Sequence, residues 1–189
     1  MGSFLLVGLG NPEPRYETTR HNIGFMAIDS LAARLGISLT QQKFHGRYAS
    51  GLLRGEKLHL VQPLTYMNLS GKSVVAARSF FDVDMEHVIV AHDDLDLPPG
   101  AVRVKAGGGH GGHNGLRDII AKTGKSDFVR VRLGIGRPEK GSVTDWVLNP
   151  FSKDEIATLE TQLEEAADAI EMVITDGVVA AQNKFNGKS

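Results

Sequence analysis

The sequence predicts an α/β fold, a single domain over residues 1–189 built on a twisted mixed β-sheet surrounded by helices. Three observations carry that expectation. A chain of 189 residues is about one domain in length, and 41% hydrophobic with 23% charged residues is ordinary for a globular fold. Short apolar runs closed by turn residues alternate with stretches whose apolar residues recur at helical spacing, the pattern of strand–helix crossover units. Residues 48–53 and 57–62 read as strands joined by only Arg54-Gly55-Glu56, so that pair is antiparallel and the sheet is mixed.

In chain order, Phe4-Leu5-Leu6-Val7 is a buried strand that runs into the tight loop Gly8-Leu9-Gly10-Asn11-Pro12. From Ile23 to Leu35 the apolar residues Ile23, Met26, Ala27, Leu31 and Leu35 share one helical face, and Gly36 ends the helix. After the hairpin, Ser70 or Gly71 opens a helix through Phe81, and His87–Ala91 is a strand that delivers His92-Asp93-Asp94-Leu95-Asp96 at its far end. Pro98-Pro99-Gly100 turns the chain into a strand over 101–105. Five glycines among residues 107–112 exclude regular structure, and a helix resumes over 116–122. Residues 128–135 alternate valine and arginine, as in a strand with one apolar and one basic face or at a sheet margin. Ser152-Lys153-Asp154-Glu155 matches a capping box that starts a long helix toward Thr175, followed by a last helix around 178–184. Ligands of such sheets bind at the carboxyl ends of the strands, which groups the loops after Val7, Gln62 and Ala91.

Composition excludes several classes. There is no cysteine, hence no disulfide scaffold, thiolate zinc site, iron–sulfur cluster or cysteine nucleophile. No apolar run approaches the roughly 18 residues needed to span a bilayer, and neither a secretion signal nor a myristoylation motif opens the chain, so a cytoplasmic protein without membrane contact is expected. Net charge is −1, and any polyanion site must therefore be local. Residues 102–140 carry nine cations against three acids, a net of +6 that can attract phosphate. Residues 151–176 carry one lysine against eight acids at helical spacing, a pattern expected of a solvated helix face.

Several motifs fail on inspection. Gly8-Leu9-Gly10 lacks the third glycine of a dinucleotide fingerprint, because Glu13 stands there, and Pro12 blocks the helix start. Gly71-Lys72-Ser73 and Gly124-Lys125-Ser126 lack the leading glycine of a P-loop, and no Gly-x-Ser-x-Gly elbow exists. Asn68-Leu69-Ser70 is a glycosylation sequon without a secretory context. What survives is a set of polar residues in loops. His21 lies between a Gly/Pro loop and a helix, where a helix-entry role and a catalytic role fit local context equally. His92-Asp93 closes a strand, where the Asp either holds an imidazole in one tautomer or His92-Asp93 caps the Pro98-Pro99 bend. His92, His110 and His113 with Asp93, Asp94 and Asp96 form an alternative metal set, weakened by the glycine-rich setting. Thr65-Tyr66-Met67-Asn68 suits stacking on a base or ribose, although Tyr66 and Met67 alone would also serve as core.

Taken together, the blocks Val7–Pro12 (VGLGNP), Tyr16–Gly24 (YETTRHNIG), Pro63–Gly71 (PLTYMNLSG), His92–Gly100 (HDDLDLPPG) and Gly107–Leu116 (GGGHGGHNGL) closely resemble bacterial peptidyl-tRNA hydrolases over essentially the whole chain. The resemblance implies a monomeric α/β globule that hydrolyses the ester between a peptide and the 3′-terminal ribose of tRNA, with tRNA as partner and neither metal nor cofactor. It implies His21 as general base, Asp93 as the residue that orients it, and Asn11 as a contact to the peptide moiety. Tyr16, Tyr66, Asn68 and Asn114 would bind the tRNA end and His113 would line the same crevice, where Met67 would stand with Tyr66 and Asn68 as part of the stacking group. Two positions depart from the family pattern: Glu13-Pro14 follows Pro12 where glycine is common, and Tyr66 stands where Phe is frequent. The residues are also chemically sufficient. Imidazole can deprotonate water near neutral pH, asparagine amides and loop N–H groups can stabilise an oxyanion, and without Cys or a serine elbow direct attack by water is the simplest route. Lys105, Arg130, Arg132 and Arg137 are candidates for tRNA phosphates. The competing readings are a non-catalytic RNA-binding relative and a metal-dependent hydrolase.

Overall fold

The structure, a computed structural model, describes residues 2–187. Its seven strands are β1 (Ser3–Gly8), β2 (Gln41–Lys43), β3 (Gly46–Leu53), β4 (Glu56–Pro63), β5 (Val88–Asp94), β6 (Val102–Ala106) and β7 (Val129–Gly134). They form one sheet in the order β2-β3-β4-β1-β5-β7-β6. The central strands β4, β1, β5 and β7 run parallel, β2 and β3 continue antiparallel at one side, and β6 closes the other side antiparallel to β7. The expected α/β fold with a mixed sheet is therefore what the chain forms.

Parallel strands buried on both faces need apolar residues at every position, which is why β1 and β5 read as continuous apolar runs. Leu6 and Ile89 face a core shared with α1 (Ile23–Leu35), α5 (Lys153–Asp176) and α6 (Val178–Phe185). Leu5, Val7, Val88 and Val90 face the opposite core, shared with α2 (Ser70–Phe81) and α3 (Asn114–Thr123). The turn between β3 and β4 places Arg54 at φ 47° and Gly55 at φ 81°, the left-handed pair of a two-residue hairpin turn. Gly8 and Gly24 face each other so closely that a Cβ on Gly8 would collide with the Gly24 carbonyl. This approach brings the start of α1 directly against the end of β1, and with it the residues just before α1 to the sheet's carboxyl edge.

Four features differ from the sequence reading. β2 carries only exposed polar residues, Gln41, Gln42 and Lys43, so no alternation announces it. The short helix α4 (Val143–Val147) is absent from that reading, although Ser142 accepts from the Asp145 amide, a cap that the Ser-x-x-Asp spacing advertises. β7 lies inside the sheet rather than at its margin. The acidic face of α5 is only partly solvated: Arg34 of α1 pairs with Asp168 and Glu171, and Arg20 pairs with Glu155. On the β7 side the edge strand is β6, and its outer edge is covered by a side chain. The Asn186 side chain accepts from the Val104 amide and donates to the Val104 carbonyl, both at 2.8 Å, as a neighbouring strand would. No helix among the described residues is long and apolar enough to cross a membrane.

Candidate active site

A cavity of about 600 Å³ opens at the carboxyl ends of β1, β4 and β5, where the sequence places the crevice. Its floor is organised by one carboxylate. Asp93, near the end of β5, is 4% exposed and sits between two imidazoles. His21 Nδ1 lies 2.8 Å from Asp93 Oδ2, and His113 Nε2 lies 2.7 Å from Asp93 Oδ1. His21 stands on a single 3₁₀ turn, Arg20–Asn22, whose position is fixed by the close Gly8–Gly24 packing that follows it. His113 is the N-cap of α3, with Nδ1 accepting from the Gly115 and Leu116 amides at 3.1 and 3.3 Å.

Those hydrogen bonds fix the protons. An Nδ1 that accepts two backbone N–H bonds carries no hydrogen, so the proton of His113 is on Nε2 and is donated to Asp93. The remaining carboxylate oxygen accepts from His21 Nδ1–H, which leaves the lone pair of His21 Nε2 outside the network. Burial alone would raise the Asp93 pKa, but the charges and hydrogen bonds of the two imidazoles hold it well below the usual carboxylate range. For His21, burial opposes protonation, yet the Asp93 charge and hydrogen bond outweigh it and the imidazole titrates above its ordinary value. His92 is different. It is fully enclosed, donates Nδ1–H to the Asp93 carbonyl at 2.8 Å, and is pushed down to about 4 by burial and the neighbouring His113, so it is a neutral wall of the site. It does not cap the Pro98-Pro99 bend, where the Ala101 amide bonds back to the Pro98 carbonyl instead.

Asn11 enters from the β1 loop. Its backbone is held at both ends by one side chain, since Asn22 Oδ1 accepts from the Asn11 amide at 2.8 Å and Asn22 Nδ2 donates to the Asn11 carbonyl at 3.0 Å. Asn11 Oδ1 accepts from the Met67 amide at 3.0 Å, so the N–H groups of Asn11 are the half of its side chain offered to the cavity. Met67 itself is buried, whereas Tyr66, Asn68 and Asn114 stand exposed on the rim. Tyr16 does not line the cavity; it is half-buried, with the Arg15 guanidinium 4.6 Å above its ring. The departure at Glu13 adds little unpaired charge, because its carboxylate lies 3.1 Å from Arg15.

Two sets of residues do not assemble as the sequence allows. The metal alternative built on His92, His110 and His113 falls apart: His110 Nδ1 accepts from the Gly112 amide within the glycine loop, and Asp94 and Asp96 pair with Arg132 and Arg137. The trio whose ligand atoms do lie within 4.8 Å of one another is His21, Asp93 and His113, and both its carboxylate oxygens are already engaged by imidazole nitrogens. Among the candidate phosphate ligands, Arg130 is buried and satisfies the Gly107, Gly108 and Ser126 carbonyls while lying 4.2 Å over Phe128. It lines the cavity while holding the glycine loop, so its Nη groups are already engaged by backbone carbonyls. Lys105 is exposed at the cavity edge, and Arg132 beside it is tied to Asp94 at 2.8 Å. The N-cap role of His113 has no signal in the sequence, since imidazole is not among the usual N-cap side chains.

The family model described as peptidyl-tRNA hydrolase matches residues 5–189. A peptidyl-tRNA hydrolase of Geobacter sulfurreducens is 50% identical over 188 residues, covering 100% of this chain and 97% of its own. One from Symbiobacterium thermophilum is 48% identical, covering 96% and 98%. The crystal structure of peptidyl-tRNA hydrolase from Acinetobacter baumannii superimposes with a TM-score of 0.92 at 40% identity, over 98% of this chain and 95% of that one. The chain belongs to the peptidyl-tRNA hydrolase family.

Proposed function

We propose that this protein hydrolyses the ester joining a peptide to the 3′-terminal ribose of tRNA, with His21 as general base and no covalent intermediate. The observation that carries the mechanism is the carboxylate of Asp93 bridging His21 and His113, which fixes the tautomer that leaves a lone pair on His21 Nε2, at the cavity that Asn11 also lines. His21 Nε2 takes a proton from water as its oxygen bonds to the ester carbon, and Asp93 stabilises the imidazolium. The Asn11 N–H groups stabilise the charge that develops on the carbonyl oxygen. As the bond to the ribose oxygen breaks, the imidazolium returns the proton to that oxygen and restores the neutral base. Tyr66 and Asn68 on the rim suit stacking and hydrogen bonding to the terminal nucleotide.

The test is release of N-acetyl amino acid from N-acetyl-aminoacyl-tRNA in the presence of EDTA. Multiple turnovers unaffected by the chelator are expected. Binding without turnover would make the chain a non-catalytic RNA-binding relative, and chelator-sensitive turnover would replace the His21 mechanism with a metal-dependent one.

Phosphate recognition gives a separate prediction. Lys105 is exposed on the basic side of the cavity and its ammonium is the most available cation there. Lys105→Glu is therefore expected to flatten the log–log salt dependence of tRNA binding by about one unit for each phosphate that is no longer neutralised. Hydrolysis of a minimal N-acetyl-aminoacyl adenosine, which lacks those phosphates, should change by less than about twofold, because the chemistry is untouched. An unchanged salt slope would place the tRNA body elsewhere.

A further inference from the structure

Three consecutive side chains on the Arg20–Asn22 turn leave in three directions. His21 goes to Asp93 and Asn22 to the Asn11 backbone, while Arg20 turns away from the catalytic carboxylate into the segment that walls the cavity on its other side. Arg20 is 5% exposed. Its Nη2 lies 2.6 Å from Glu155 Oε1 and its Nε 3.3 Å from Glu155 Oε2, the forked pairing that a planar guanidinium favours. Its Nη1 donates to the carbonyls of Trp146 and Asn149 at 3.1 and 3.4 Å, and its Cζ lies 3.5 Å from the centre of the Trp146 ring. The backbone reinforces the attachment: the Arg20 amide bonds to the Asn149 carbonyl, the Phe151 amide to the Thr18 carbonyl, and Thr19 bridges Pro150. Trp146 Nε1 in turn holds the Gly136 carbonyl at 2.9 Å. Val143, Thr144, Val147 and Leu148 of the same segment line the cavity.

We propose that Arg20 is a positioning residue, whose clamp on Glu155, Trp146 and Asn149 locks the 143–151 wall of the cavity to the turn that carries His21, so that substrate wall and general base are held in one register. The assignment rests on the proposed hydrolase reaction. Its physical basis is that a turn of three residues has almost no internal stiffness, and a displacement of about 1 Å at a reacting group can cost on the order of 10² in rate. The groups facing His21 are Asp93 from β5 and His113 before α3, and on the α4–α5 side the charges of Arg20 and Glu155 compensate each other. Slackening the turn therefore acts on His21 chiefly through its distance from Asp93.

The test is Arg20→Lys, which keeps the charge and loses the fork. In protein shown to be folded by circular dichroism, kcat toward N-acetyl-aminoacyl-tRNA should fall at least tenfold while the Kd for deacylated tRNA stays within twofold. The His21 ring, followed by NMR titration, should move toward the ordinary value near 6.5. In a His21→Ala background the same substitution should cost less than twofold, since groups that act as a unit are not additive. Should Arg20→Lys not fold, Glu155→Gln, which removes the counter-charge and keeps the side-chain shape, is read by the same measurements. An unshifted titration of His21, or a loss that multiplies fully with His21→Ala, overturns the proposal. The titration reads position without turnover, so a wild type that fails to hydrolyse would refute the hydrolase reading while leaving Arg20 still under test.

Discussion

Asp93→Asn is expected to lower kcat/KM by roughly 10² to 10⁴ while leaving the affinity for deacylated tRNA within about twofold. The size of the effect follows from proton bookkeeping at one side chain. His113 presents only an N–H to residue 93, because its other nitrogen accepts from the Gly115 and Leu116 amides. An asparagine at 93 must turn its carbonyl oxygen to that N–H and its amide group to His21. His21 Nδ1 then accepts, its proton moves to Nε2, and the nitrogen facing the cavity is no longer a base. The shape of the site is kept and its tautomer is inverted. Measured kcat/KM in Asp93→Asn, with the double variant His21→Ala/Asp93→Asn as control, checks this: the double variant should be hardly worse than His21→Ala alone. A mutant that keeps more than about half the wild-type rate would sink the tautomer argument.

His21→Ala is expected to reduce kcat by roughly 10² to 10⁴, the usual worth of a general base, again with tRNA binding nearly intact. The pH dependence supplies an independent signature. Only neutral His21 can accept the proton, so the rate falls as pH drops through its pKa. The Asp93 charge and hydrogen bond, overcoming the opposing effect of burial, place that pKa above 6.5, and the acidic limb should lie correspondingly higher than for a free imidazole. In His21→Ala the residual rate should lack that limb. His92 does not produce it, since burial keeps it neutral down to about pH 4. A limb of unchanged position in His21→Ala would assign the titration to another group.

How far the site is legible in the sequence differs from residue to residue. His21, Asp93 and Asn11 are readable because five separated blocks of unusual composition resemble one family, and the crevice is readable because parallel sheets bind ligands at their strands' carboxyl ends. The direction in which each amide and imidazole nitrogen points is not. An asparagine side chain carries both donor and acceptor, but the Met67 amide, 56 residues away, occupies the Asn11 oxygen and leaves only the donor to the cavity. In the sequence Arg130 is one of several arginines in a basic stretch, and only the tertiary structure shows it buried with its guanidinium engaged by the glycine-loop carbonyls.

The sequence by itself determined the α/β fold class, the strands and helices with strong apolar periodicity, the local concentration of positive charge and the identity of the chemically competent side chains. The periodic elements are properties of spacing along the chain that burial of apolar faces rewards, whereas the competent side chains were legible through the resemblance of their blocks to one family. The tertiary structure alone decided that Asp93 is shared by His21 and His113, that His113 caps α3 while fixing its own tautomer, and that Arg20 and Glu155, 135 residues apart, join the turn carrying His21 to the segment that walls the cavity. The reason is directional. A hydrogen bond needs its donor and acceptor aligned to within a few tenths of an ångström, and that alignment is set by where distant strands and helices pack, which no local spacing encodes.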